Sequence, residues 1–141
     1  MLISWVGVLI AALAAAVLHL LWYSTTSFRF LWSKLPLLTD EVGGRLQATK
    51  WRVYLVTFLS YAIMAFFFAV LARVLGVDTV GEGVRLGSII WLGFILPSSL
   101  TASMFAERSV SAFVIDVLFH LLYLSLIGAI IGALFSPAMV R

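Results

Sequence analysis

The chain has 141 residues, of which 64% are hydrophobic and 11% charged, and it carries a net charge of +3. A water-soluble domain usually holds about 25% charged and about 45–50% apolar residues, so this composition excludes one and indicates an integral membrane protein of single-domain length (1–141). Cysteine is absent, which excludes disulfides, thiolate metal sites and cysteine nucleophiles; the basic balance is that of membrane-protein loops and calls for no nucleic acid.

The first apolar run, residues 2–23, has the length of a bilayer-spanning helix, about 20 residues. No Lys or Arg precedes it and its core is longer than that of a signal peptide, so it is read as a span and not as a cleaved leader. Trp5, Trp22 and Tyr23 stand at its ends as interfacial anchors. Gly7, Ala11, Ala12, Ala15 and Ala16 would let a neighbouring helix approach closely. His19 is its one ionisable side chain.

Residues 24–50 form the longest polar connection. Phe28, Leu31, Trp32 and Leu35 recur with helical spacing, with Arg29, Ser33 and Lys34 elsewhere on the wheel, a pattern that suits a short helix lying in the membrane interface. An ordinary linker held near the surface by aromatics is the competing reading. The second span is predicted over 51–75, with Ala62, Ala65, Ala69 and Ala72 as a small-residue strip. Residues 76–84 read as a Gly-containing turn, the third span as 85–106 and the fourth as 110–135. One long and two short connections make an all-α, up-down-up-down bundle of four transmembrane helices the expected architecture.

Basic residues fix the expected orientation. Arg29, Lys34, Arg45, Lys50, Arg52 and Arg108 fall on one side, against Arg73, Arg85 and Arg141 on the other. Because positive loops stay in the cytoplasm, both termini are expected outside it, in a plasma (inner) membrane.

The third and fourth spans hold the residues most able to carry chemistry. Pro97 cannot donate to the carbonyl of Gly93, so the helix should kink or open there, with Ser98, Ser99 and Thr101 placed to satisfy freed backbone groups. A broken helix is a place for an ion or substrate; a packing kink is the plainer reading. Ser99, Ser103 and Glu107 recur every four residues and so share one side of the helix. Glu107 and Arg108 suit the headgroup level; inward pairing of Glu107 is the alternative. Asp116 and His120 share a face of the fourth span, with Tyr123 one turn on. His19 reaches similar depth if the first and fourth spans are neighbours.

A buried acid needs a partner, since an unpaired one costs about 2.5–3.5 kcal/mol in mid-membrane. Three readings of His19, Asp116, His120 and Tyr123 compete: a structural hydrogen-bond cluster, a proton-relay site, and a His-His-Asp metal site whose ligand types suit zinc. No nucleophile motif accompanies them, so the expectation leans away from an enzyme, with neither cofactor nor resident metal. Gly128 and Gly132 form a Gly-xxx-Gly pair for close helix contact, within the bundle or between protomers.

Leu21-Trp22-Tyr23-Ser24 with Phe28 and Trp32, then Trp91-Leu92-Gly93-Phe94 with Pro97, Phe105 and Glu107-Arg108, resemble the two signatures of the "domain of unknown function 1761" family of small four-span membrane proteins, and His120-Leu121 is similar to its Tyr-His-Leu element. Thr25 departs from the expected proline, Phe119 from tyrosine and Asp116 from asparagine. The resemblance implies the fold and supplies no mechanism. Together these features point to a structural or accessory membrane subunit, working as a homo-oligomer or beside a partner subunit; the alternative is a small proton-linked transporter or channel component.

Overall fold

The computed structural model describes residues 5–24 and 50–135. Its helices are α1 (Trp5–Ser24), α2 (Lys50–Val74), α3 (Val80–Ile90), α4 (Leu96–Phe105) and α5 (Val110–Phe135), with a π-helical segment, Trp91–Ile95, joining α3 to α4. Among the described residues four stretches are long and apolar enough to cross a membrane: α1, α2, the continuous α3–π–α4 unit and α5. The chain is an all-α, up-down-up-down, four-span membrane protein. The proposed interfacial helix at Phe28–Leu35 lies outside the described residues.

The last helix is the axis of the bundle. One flank of α5 packs against α3, another against α1, and α2 leans on α1 and touches α5. Alanine lets α1 and α2 come close: Ala11, Ala12 and Ala15 on α1 and Ala65, Ala69 and Ala72 on α2 are all fully buried. Leucines and valines such as Leu9, Leu13, Val17, Leu55 and Leu59 point outward. Lipid tails are as apolar as these side chains, so close packing of small residues is what draws the helices together.

The third span starts at Val80, earlier than the sequence reading of 85. Thr79 accepts from the backbone N–H of Glu82 at 3.2 Å, and the Glu82 carboxylate accepts from the N–H groups of Thr79 (3.1 Å) and Asp78 (2.9 Å). This capping box satisfies otherwise orphaned donors and starts the helix inside the stretch taken for a turn. The preceding turn needs glycine: Gly76 has φ +68°, and Val77 N–H reaches back to Ala72 O at 2.9 Å to close α2. The same closure ends α4, where Arg108 N–H reaches Ser103 O at 3.0 Å, but there the left-handed residue is Glu107, at φ +50°.

Candidate functional site

Two polar groupings lie along α5. The first is an aromatic node joining α1, α2 and α5. His19 Nδ1 shares a hydrogen bond of 3.0 Å with the Tyr61 hydroxyl. The His19 ring meets Phe119 edge-on at 5.5 Å. Tyr61 lies T-shaped against Tyr123 at 5.2 Å, Phe119 tilts against Tyr123 at 5.3 Å, and Trp22 closes on Phe119 at 5.5 Å. Tyr61, Phe119 and Tyr123 are buried. Ring pairs in such geometry stabilise by about 0.5–1.5 kcal/mol each beyond their area.

The second grouping runs from the α4–α5 turn into α5. Asp116 lies 3.9 Å from an Arg108 guanidinium nitrogen and 3.8 Å from His120 Nδ1. His120 Nδ1 also lies 2.7 Å from the backbone carbonyl of Asp116. A carbonyl oxygen only accepts, so Nδ1 carries the proton in this bond and the neutral ring keeps its lone pair on Nε2. His19 and His120 meet across the node through Phe119, whose ring stands 6.1 Å from His120. Among the described residues no three His, Asp or Glu side chains gather as a metal site requires.

The helix break takes a different form from a simple kink. Ahead of Pro97 the helix widens to π geometry, with Leu96 N–H bonding to Trp91 O, which shifts the backbone register around the missing donor. Ser98 Oγ donates to Phe94 O at 2.7 Å and to Ile95 O at 3.0 Å, and Thr101 Oγ1 donates to Pro97 O at 3.1 Å. Gly93, Pro97, Ser98 and Thr101 all face outward, and Ser99 is half-buried. The break is thus on the outer side of the bundle. Ser103 alone in α4 is buried; Glu107 is exposed in the turn. Arg108, expected at the headgroup level, also lies 3.9 Å from Asp116.

The Gly-xxx-Gly pair is occupied within the chain. A Cβ on Gly128 would strike the Gly83 carbonyl and one on Gly83 the Gly128 carbonyl, while Gly132 lies against Thr79 O; at Gly87 a Cβ would come within 2.6 Å of Leu124 O. Just beyond this seam, Trp91 Nε1–H donates to Val117 O at 2.7 Å and pins the π segment to α5.

Sequence reasoning missed Tyr61, Gly83, Gly87 and the Arg108–Asp116 contact. A tyrosine inside an apolar span is itself a signal, because its buried hydroxyl seeks a partner. A family model described as "Protein of unknown function (DUF1761)" matches residues 6–132. No curated protein and no solved structure matches the chain.

Proposed function

The chain belongs to this family of unknown function, and from that premise we propose that it serves as a structural or accessory membrane subunit whose helices are held by the polar and aromatic groups along α5. Such a subunit works beside a partner membrane protein or a second copy of itself, in the plasma (inner) membrane, with both termini outside the cytoplasm. The observation that carries the reading is the node: one imidazole–phenol hydrogen bond ties α1 to α2, and three ring contacts draw the two onto α5. The span hydroxyls support it too, since Ser60, Ser88, Ser98 and Thr101 each donate to a carbonyl one turn back and not toward a shared path.

Thermal unfolding in detergent tests this reading. Asp116→Asn keeps hydrogen-bonding capacity and should be mild. Asp116→Leu removes the carboxylate beside Arg108 and His120, leaves the His120 bond to the backbone carbonyl of that residue in place, and should cost more than Asp116→Asn, up to about 1 kcal/mol for so open a pair. If Asp116→Leu unfolds at the same temperature as wild type, this grouping holds nothing together.

A second reading, a proton-linked transporter or channel component, is favoured by one observation: the Asp116 and His120 side chains are 21% and 27% exposed.

A further inference from the structure

The exposure of Asp116 and His120 has a direction. At about 100° per residue, Ser109, Phe113, Asp116 and His120 lie on one strip of α5, roughly 60° wide. On one side of that strip Phe119 and Tyr123 face α1 and α2, at 2% and 4% exposure, and Ala112 on the same flank is 3% exposed. On the other side Val117 and Leu124 face the third span, at 5% and 3%. The strip is therefore an interior one, bounded by two packed seams. Yet Ser109 is exposed, Phe113 half-buried, and Asp116 and His120 partly open. Farther along the same strip Ile127 and Ile131 are fully buried. The opening starts where α5 begins and ends one to two turns past His120.

The third span accounts for the gap. Its α3 half is locked to α5 through Gly83, Gly87 and Trp91, whereas α4 buries only Ser103.

We propose that this strip floors a water-filled vestibule, open at the α5 N-terminal end and sealed at Ile127, in which His120 Nε2 accepts protons or other small hydrogen-bond donors from water. The chemistry of the floor favours donors. Asp116 adds a carboxyl group between Arg108 and His120, and His120 presents Nε2, while Nδ1 is committed to the Asp116 carbonyl. Arg108 stands nearer the mouth, against Asp116. The other ionisable groups around the site are His19 on α1, Tyr61 on α2, Tyr123 on α5 itself and Glu107 in the turn. The inference goes beyond the structural reading without opposing it, and the two fail separately: a vestibule that conducts nothing is still wet.

The absence of native cysteine makes the test clean. His120→Cys, Phe113→Cys, Ile127→Cys and Leu118→Cys are made one at a time in the full chain, reconstituted in vesicles and treated with a charged, membrane-impermeant thiol reagent from each side. Leu118 is the lipid control: it is 47% exposed but lies on the opposite side of α5. A thiol in apolar surroundings stays protonated and unreactive, so His120→Cys and Phe113→Cys should label about tenfold faster, or more, than Leu118→Cys and Ile127→Cys, and from the α5 N-terminal side only. Labelling of Leu118→Cys as fast as His120→Cys, labelling of Ile127→Cys as fast as His120→Cys, or a folded His120→Cys that is silent from both sides, overturns the vestibule. If His120→Cys does not fold, Phe113→Cys, which keeps both ionisable residues, decides.

Discussion

Single side chains make separable contributions to this bundle. Tyr61→Phe keeps the ring contacts and removes the hydroxyl from His19. Hydrogen bonds between membrane helices average about 0.6 kcal/mol, so the expected outcome is a small fall in thermal stability, with a much larger one for Tyr61→Ala, which also removes the ring from Tyr123. Equal losses for the two would mean that packing contributes nothing. Glu107 invites the opposite experiment. Its left-handed backbone costs a non-glycine residue on the order of 1 kcal/mol, and Gly76 shows what the same helix ending uses where no side chain is wanted. Glu107→Gly should therefore raise the unfolding temperature slightly; a fall would assign a stabilising contact to the carboxylate. His19, Asp116 and His120 were legible in the sequence as rare ionisable groups in apolar runs. Tyr61 was not singled out, because in a span that also carries Phe58, Phe66, Phe67 and Phe68 one phenol looks like another aromatic.

Between helices, the two halves of the third span behave differently, and one substitution made twice reads this out. Gly83→Ala drives a methyl into the Gly128 carbonyl, whereas at Gly93 nothing lies within 4 Å of an added Cβ. Overpacking of this kind costs about 1–3 kcal/mol, so Gly83→Ala should unfold at a clearly lower temperature and Gly93→Ala should be neutral. Equal behaviour would contradict the seam. Gly132→Leu should likewise lower stability and leave the mass of the detergent-solubilised particle unchanged, since Thr79 of the same chain fills that contact; a drop in mass with stability intact would place the glycine between protomers. Gly128 and Gly132 were readable as a pair, but their partners were hidden in a stretch that glycines made look like a turn. Thr79-x-x-Glu82 was the available signal, a capping box that starts the helix early enough to include Gly83 and Gly87. The π form of the break was not legible, because a proline says that a donor is missing and not how the backbone takes up the slack.

For the whole molecule, the four spans and the nearness of the first to the last followed from apolar length and loop length, because a bilayer leaves a chain few other ways to satisfy its backbone. Orientation rests on the charge count, six basic residues against three. A periplasm-active reporter fused after Arg141 should be active and one fused in the 24–50 connection inactive; the reverse pattern would invert the protein, and equal activity at both sites would break the odd number of spans, three, between them. On the proposed reading the groups along α5 hold helices together and do not drive transport. That reading is tested most directly by proton flux in proteoliposomes under an imposed pH gradient and potential, for wild type, Asp116→Asn and His120→Gln. Wild-type flux should be no greater than that of empty liposomes. Wild-type flux well above that background, abolished by Asp116→Asn or His120→Gln with thermal stability intact, would contradict it.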